Sequence, residues 1–237
     1  MPTVDHSNKE LLLKLVYYGP GYSGKTTNLK YIYEATNPEH RGTLLTLSAE
    51  AERTIFFEML PVELGAYKDY SIRLHLCTVP GKVVHDRTRR HILSDVDGVV
   101  FVVDSQRSAL DANLESLTNL GINLKLHGLS PHQTPIVIQY NKRDHADALS
   151  VDELRDSIGV MDGVVEIEAV AKEGQGVFES LKAIVNVALR TLDDPRRLPS
   201  GRTPSILPGE RASMYPGAVV SRKTDIPKAP GLPKFDS

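Results

Sequence analysis

The sequence has no tryptophan and one cysteine, Cys77, and aromatic residues make up 6% of its 237 residues. A single cysteine excludes an intramolecular disulfide, so the fold does not depend on an oxidising compartment. No apolar run approaches the roughly 20 residues of a membrane helix, and no secretory signal follows Met1. The Met-Pro start and the lack of a cysteine near the carboxyl terminus give no support to a lipid anchor. We therefore expect a cytoplasmic protein.

Charge is unevenly distributed along the chain. Residues 195–237 carry a net charge of +5 and contain eight prolines and four glycines, whereas residues 1–194 carry a net charge of −7. A basic segment rich in proline and glycine buries too little apolar surface to offset the entropy of ordering it. We predict a globular domain at 1–194 and a disordered tail at 195–237. The acidic domain argues against nucleic acid as a partner.

Six apolar runs alternate with helical patterns in the predicted domain. The predicted strands are Leu11–Tyr18, Thr43–Leu47, Ser71–Val79, Gly98–Asp104, Pro135–Tyr140 and Val164–Val170. Apolar residues three and four apart predict helices around 110–124 and 177–192, and Ser150–Glu153 has the pattern of a capping box that opens another helix. This alternation predicts an α/β fold with a doubly wound, six-stranded, mostly parallel sheet and helices on both faces. Ligands of such folds bind beyond the carboxyl ends of the strands.

A phosphate-binding motif follows the first predicted strand. Residues 19–26 read Gly-Pro-Gly-Tyr-Ser-Gly-Lys-Thr and match G-x-x-x-x-G-K-[ST] in full. In this motif backbone N–H groups turn toward phosphate oxygens, the lysine supplies a cation for the β- and γ-phosphates, and the threonine hydroxyl ligates Mg²⁺. We predict a P-loop NTPase with Thr26 as a metal ligand and these phosphate-binding residues: Gly19, Gly21, Tyr22, Ser23, Gly24, Lys25, Thr26 and Thr27.

A second motif, Asn141-Lys-Arg-Asp144, follows the fifth predicted strand. This N-K-x-D pattern is the one by which Ras-like proteins select guanine. The Asp144 carboxylate can accept hydrogen bonds from the N1–H and the exocyclic amino group of guanine, and adenine offers neither donor. Lys142 would lie along the base, and Asn141 would tie this loop to the phosphate loop. The motif disfavours the alternative of an adenine-nucleotide kinase.

With both motifs, the chain resembles the bacterial MglA group of small Ras-like GTPases over about residues 9–192. The matching stretches lie at 16–21, 25–29, 52–57, 78–81 and 137–144. The resemblance implies a switch that binds GTP and GDP with Mg²⁺ and controls cell polarity and gliding motility. It implies an MglB-like roadblock homodimer that accelerates hydrolysis, polarity effectors, and recruitment to a cell pole. Ala171 and Lys172 stand in the base-binding loop of the family, where the Ala171 N–H would reach the guanine O6.

The resemblance also assigns roles in the two switch segments. In the first switch, Thr54 would ligate Mg²⁺ and sense the γ-phosphate, and Arg53 would act as an arginine finger from the same chain. In the second switch, Thr78 stands where most small GTPases have an aspartate. Gly81 would donate its N–H to the γ-phosphate.

Lys82 departs from the family pattern, which has a glutamine at this position to orient the attacking water. A lysine ammonium has only donors, so it cannot accept a hydrogen from that water. We therefore predict slow GTP hydrolysis, with Lys82 in the catalytic position. The alternative function is a non-hydrolysing, GTP-bound adaptor that recruits polarity proteins.

Two groups near the switches admit more than one interpretation. The arginines after the second switch are interpreted as a solvated helix face, with partner contact as the alternative: Arg87, Arg89 and Arg90. The apolar residues after the first switch are either core residues or a surface that partners grip: Phe56, Phe57 and Met59. The eight histidines show no metal-ligand spacing, so no metal other than Mg²⁺ is expected.

Overall fold

The computed structural model describes residues 3–49, 55–81, 86–192 and 218–222, which form one mixed sheet, five α-helices and short 3-10 helices at Pro38–His40 and Arg107–Ala109. The strands are β1 (Thr3–Asp5), β2 (Glu10–Tyr18), β3 (Leu45–Ala49), β4 (Ile55–Tyr67), β5 (Tyr70–Thr78), β6 (Gly98–Asp104), β7 (Ile136–Asn141), β8 (Val165–Glu168) and β9 (Ala218–Arg222). The helices are α1 (Lys25–Ala35), α2 (Asp86–Leu93), α3 (Leu110–Leu126), α4 (Val151–Ile158) and α5 (Val177–Leu192).

The sheet has the order β8-β7-β6-β2-β5-β4-β3-β9, and β1 pairs with the start of β2. Neighbours from β5 through β2, β6 and β7 to β8 are parallel, whereas β4, β3 and β9 add antiparallel pairs at one edge. The strand order reverses direction on either side of β2. This reversal places the ends of β2, β6 and β7 at a crevice, as the predicted doubly wound fold requires.

Two apolar layers cover the sheet, one on each face. Successive side chains of β2 point to opposite faces. Leu15 and Tyr17 join a core with residues of α1 and α5, while Val16 and Tyr18 join a core with residues of α2, α3 and α4. Helices therefore pack on both faces, which confirms the predicted architecture. Within the described ranges, no helix is long and apolar enough to cross a membrane.

Strand β4 is the largest departure from the predicted elements, which contain no strand over Ile55–Tyr67. Its apolar run is interrupted by Pro61 and Gly65, both of which weaken a strand prediction. The Pro61 carbonyl accepts a hydrogen bond from the Gly42 N–H (2.8 Å), so the missing N–H of Pro61 faces an edge that β3 no longer covers. Gly65 lies at a bulge in the pairing with β5. Pro61 thus lies where the pairing with β3 has ended, and Gly65 lies at a β-bulge, so neither interrupts the strand.

The described sheet has more strands than the six predicted, because β1 and β9 are short and the apolar run of β4 is interrupted by Pro61 and Gly65. Strand β9 lies within the predicted tail. Ala218–Arg222 pairs antiparallel with β3, from Leu45 opposite Arg222 to Ala49 opposite Ala218. Its β-branched Val-Val pair favours a strand. The other residues of the predicted tail lie outside the described ranges, and the boundary at 194 stays a prediction.

A buried polar pair connects α1 to β7. The Asn28 and Gln139 side-chain amides donate to each other at 2.9 Å in both directions, and both residues are fully buried. Gln139 also donates to Ser180 Oγ of α5 (2.9 Å). Because α1 follows the phosphate-binding motif and β7 leads into Asn141, this pair holds the two motif-bearing elements at a constant distance.

We expect the change Gln139→Leu to lower the free energy of unfolding by about 1–3 kcal/mol, because it leaves the buried Asn28 amide without its partner. Urea unfolding monitored by circular dichroism measures the loss. The exposed Gln133→Leu is the matched control and should change stability by less than about 0.5 kcal/mol. The double variant Asn28→Leu/Gln139→Leu should lose less than the sum of the two single variants. Additive losses would contradict the pairing.

Candidate nucleotide-binding site

The phosphate-binding motif forms a tight loop between β2 and α1. Gly19 and Gly24 have φ angles of +144° and +105°, which side chains rarely adopt. A Cβ on Gly19 would lie 2.3 Å from the Val102 carbonyl oxygen, and one on Gly24 would lie 2.1 Å from Asn141 Nδ2. The loop therefore packs so closely against the ends of β6 and β7 that only glycine fits at these two positions.

Lys25 is the first residue of α1, and its side chain turns back into the loop. The residue is 6% exposed, and its ammonium donates to the carbonyl oxygens of Gly19 (3.0 Å) and Pro20 (2.5 Å). Burial, followed by the positive charge of Arg89, lowers the pKa of Lys25 to about 7. An anion placed beside this ammonium would stabilise its charged form.

The other residues of the loop differ in accessibility. Ser23 is fully buried, and among the described residues its hydroxyl has no hydrogen-bond partner. Tyr22 is 89% exposed and has a φ of +63°. Thr26 and Thr27 lie partly buried in the first turn of α1. The loop thus presents its backbone, the Lys25 ammonium and the Thr26 hydroxyl as groups that could hold a phosphate and Mg²⁺.

Asn141 joins the phosphate loop to the loop after β8. Its Nδ2 donates to the Ser23 carbonyl oxygen (2.7 Å), and its Oδ1 accepts from the Ala171 N–H (2.9 Å). Both bonds are buried. The Ala171 N–H, expected to face the guanine O6, is therefore directed at Asn141 in this structure. Three segments that are distant in sequence meet at one side chain.

Lys142 has a left-handed backbone conformation, with φ of +65°. Its ammonium pairs with Asp104 at the end of β6 (2.6 Å) and donates to Gln106 Oε1 (3.0 Å). Asp104 and Gln106 were absent from the predicted site. Their position at the carboxyl end of the apolar β6, where ligands of such folds bind, could have indicated them. They hold the Lys142 side chain on the β6 side of the crevice.

Asp144 pairs with Lys172 across the mouth of the crevice. Their charged groups lie 2.5 Å apart, and the Asp144 side chain is 29% exposed. The hydrogen bond from Lys172 lowers the pKa of the Asp144 carboxyl, and the same contact raises the pKa of Lys172. Asp144 is therefore ionised near neutral pH and reachable from solvent, as an acceptor for base donors must be.

The second switch begins against the phosphate loop. A Cβ on Gly81 would lie 2.3 Å from the Gly21 Cα, so the two backbones are in contact. Thr78, at the end of β5, is 2% exposed, and its hydroxyl accepts from the Glu58 N–H of β4 (2.9 Å). Three predicted site residues, Arg53, Thr54 and Lys82, lie outside the described residues.

The structure corrects the interpretation of the arginines in α2. Arg87 and Arg90 are exposed, as a solvated face requires, but Arg89 is fully buried. Arg89 lies on the same helix face as Ile92 and Leu93, three and four residues later, so the helical period was a signal that sequence reasoning missed. Phe57 and Met59, left open between core and surface, pack against one of the two cores.

These residues fit a nucleoside phosphate with Mg²⁺. The glycine turn leaves backbone accessible and the buried ammonium donates to two carbonyl oxygens. The Ser23 hydroxyl lacks a partner among the described residues. Thr26 is the described residue that could ligate Mg²⁺. In the described part of the chain, no group of three or more His, Cys, Asp or Glu side chains could hold another metal.

We expect binding of GDP to take up protons at pH 8. Lys25, with a pKa of about 7, is mostly neutral at that pH, and the bound phosphate restores its charge. Titration calorimetry in buffers of different ionisation enthalpy measures the uptake. At pH 6 the free lysine already carries its proton, so this uptake disappears. Equal proton exchange at pH 6 and pH 8 would contradict a change in the charge of Lys25 on binding.

Comparisons with known proteins agree with the geometry. The model of the ADP-ribosylation factor family matches residues 3–188. The mutual gliding-motility protein MglA of Myxococcus xanthus (strain DK1622) is 48% identical over 192 residues, which cover 81% of this chain and 98% of that protein. Elongation factor 4 of Desulforudis audaxviator (strain MP104C) is 29% identical over 185 residues, or 77% of this chain and 27% of the factor. The chain therefore belongs to the ADP-ribosylation factor family of Ras-like proteins and is an MglA-type small GTPase, an enzyme that hydrolyses GTP.

Proposed function

We propose that this chain is a guanine-nucleotide-dependent switch that acts in gliding motility and cell polarity. The observation that carries the proposal is the Asn141 side chain, which joins the phosphate loop to the base-binding loop in one crevice. The relative from Myxococcus xanthus is named for gliding motility, and this name supports the process. The switch domain is residues 1–194, and 195–237 form a tail.

Guanine is selected at the mouth of the crevice. The Asp144 carboxylate accepts from the N1–H and the exocyclic amino group of the base, and it exchanges Lys172 for these donors. Lys142, held by Asp104 and Gln106, lies along the base. The preorganised Lys142 loses little side-chain freedom when the nucleotide binds, which favours affinity.

The phosphates bind along the glycine turn, next to Lys25. The hydroxyls of Thr26 and Thr54 would hold Mg²⁺, which would neutralise negative charge on the phosphates. The Gly81 N–H donates to the γ-phosphate, which GDP lacks. The second switch therefore responds to the presence of the third phosphate.

Hydrolysis is slow because Lys82 occupies the position that orients water. Arg53 neutralises charge on the transferring phosphoryl group, but the attacking water lacks an acceptor. A lysine charge beside the γ-phosphate stabilises bound GTP as much as the transition state, and such uniform stabilisation does not accelerate chemistry. Lys82 is also the feature that favours the second candidate function, an adaptor that hydrolyses GTP so slowly that it remains GTP-bound while it recruits polarity proteins.

The partners are an MglB-like roadblock homodimer, which accelerates hydrolysis, and polarity effectors that bind the GTP form. The protein acts in the cytoplasm and is recruited to a cell pole. Pull-down of such a homodimer on protein loaded with a non-hydrolysable GTP analogue, compared with GDP-loaded protein, tests this part of the proposal.

We expect affinity to fall in the order GTP, ITP, ATP. Hypoxanthine keeps the N1–H but lacks the amino group, and adenine has neither donor, so each step removes one charge-assisted hydrogen bond and costs about tenfold or more. Competition against a fluorescent guanine nucleotide measures the series. Asp144→Ala should reduce the differences in affinity between the three nucleotides. Asp147→Ala, which removes an exposed acid of the same loop, should leave these differences unchanged. Comparable affinities for ATP and GTP would contradict guanine selection.

We expect Lys82→Gln to raise the single-turnover rate of GTP hydrolysis by about tenfold or more, which corresponds to about 1.4 kcal/mol of barrier. The amide can both donate to and accept from the attacking water. The control is Arg87→Gln, which removes one positive charge from an exposed position of α2 and should have no effect on the rate. Equal rates for wild type and Lys82→Gln, with and without partner, would mean that another group orients the water.

A further inference from the structure

Arg89 is a fully buried cation within the second switch. Arginine is almost never fully buried unless its donors are paired, and four of its five N–H donors are used here. The Nε–H donates to the Pro80 carbonyl oxygen (2.9 Å) and Nη2 donates to the Gly81 carbonyl oxygen (2.5 Å). Nη1 donates to Asn119 Oδ1 (2.9 Å) and Tyr18 Oη (3.4 Å). One edge of the guanidinium therefore clamps two consecutive carbonyls.

The first of these carbonyls belongs to the peptide that carries the Gly81 N–H. In a planar trans peptide the C=O and the N–H point in opposite directions. Holding the Pro80 oxygen therefore determines the direction of the Gly81 N–H. Because the second carbonyl is held as well, rotation of either peptide breaks a hydrogen bond to a buried charge, which is expensive.

Side chains of α3 hold the guanidinium in place. The Asn119 amide donates to Asp86 Oδ1 (2.8 Å), so its oxygen faces Arg89. Asn123 donates to the same carboxylate oxygen (2.8 Å). Burial alone would raise the pKa of Asp86, but the hydrogen bonds from Asn119 and Asn123 and the charge of Arg90 outweigh it and lower the pKa. The carboxylate is thus charged and keeps the Asn119 amide in one orientation.

The clamped segment lies next to the phosphate loop. Gly81 contacts the Gly21 backbone, and the Arg89 charge contributes to the lowered pKa of Lys25. The hydrogen-bond partners of Arg89 among the described residues lie outside the loop: they are Pro80, Gly81, Asn119 and Tyr18. Arg89 therefore acts on a bound phosphate through the Gly81 peptide rather than by contact.

We propose that Arg89 is a positioning residue that orients the Gly81 N–H toward a γ-phosphate and so determines how strongly the protein prefers a guanosine triphosphate over the diphosphate. The inference rests on the proposed function, in which Gly81 donates to the γ-phosphate. It adds a residue that the predicted site lacked. GDP does not reach Gly81, so the Arg89 clamp acts on the triphosphate alone.

The test compares the affinities of Arg89→Met and wild type for GDP and for a non-hydrolysable GTP analogue. Methionine fills much of the buried volume and has no donors. The expected result is a loss of about tenfold or more for the GTP analogue and a change below about threefold for GDP. Equal losses for both nucleotides would indicate a purely structural role and overturn the proposal. Arg87→Met, the same substitution at an exposed arginine of the same helix, should leave the ratio of the two affinities unchanged.

Arg89→Lys separates orientation from charge. A single ammonium keeps the positive charge but lacks the planar fork that clamps two carbonyls. We expect Arg89→Lys to lose the preference for the triphosphate as Arg89→Met does. A preference equal to that of wild type in Arg89→Lys would overturn the proposal. Where Arg89→Met fails to fold, Asn119→Ala keeps the buried arginine and removes one of its acceptors, and it should reduce the ratio in the same direction. An unchanged ratio there would also count against the clamp.

Different results would contradict the proposed function and the role of Arg89. Wild-type protein that binds neither guanine nucleotide would contradict the proposed function itself. Normal guanine-nucleotide binding by wild type, with an unchanged affinity ratio in all Arg89 and Asn119 variants, would contradict only the role of Arg89.

Discussion

The two hydrogen bonds of the Asn141 side chain connect the parts of the site that the sequence keeps apart. One amide bonds to the loop after β2 and to the loop after β8, and it sits at the end of β7. An asparagine has a donor and an acceptor on one short, rigid group, so it can satisfy both backbones at once. Gly24 packs against the same amide, which is why no side chain fits there. The distance between phosphate and base sites follows from this contact.

Behind this contact, the sheet supplies the rigidity. Parallel strands β2, β6 and β7 end at the same edge, and helices bury both faces. The Asn28–Gln139 pair makes a second connection of this kind deeper in the core. It joins α1, which follows the phosphate loop, to β7, which leads into Asn141. Buried amide pairs are stable only when both partners are satisfied, so they specify one relative position of the two elements.

The cations around the crevice differ in whether their hydrogen-bond acceptors are charged or neutral. Lys142 and Lys172 pair with carboxylates, whereas Lys25 and Arg89 have neutral acceptors among the described residues. The positive charge without a carboxylate partner is thus concentrated at the phosphate end. The charges of Lys142 and Lys172, which lie at the proposed base end, are balanced by Asp104 and Asp144. This division matches the chemistry of a nucleotide, whose phosphates are charged and whose base is neutral.

The sequence alone determined the local features of this protein. The phosphate loop, the base-binding motif, the capping box at Ser150 and the amphipathic helix α5 depend on residues close together in the chain, so their patterns are readable without a structure. The doubly wound fold followed from the alternation of strands and helices. Strand β4 was missed because Pro61 and Gly65 are tolerated only through pairing that other strands decide.

Tertiary structure alone decided the contacts between distant segments. The helical period places Arg89 on the face of Ile92 and Leu93, but only the packing of α2 on α3 and the second switch supplies the acceptors for its buried charge. The pairing of Asp144 with Lys172, and of Lys142 with Asp104, likewise depends on loops that meet at the edge of the sheet. Sequence patterns report the chemistry that a residue offers, whereas burial and partners depend on which surfaces the fold brings together.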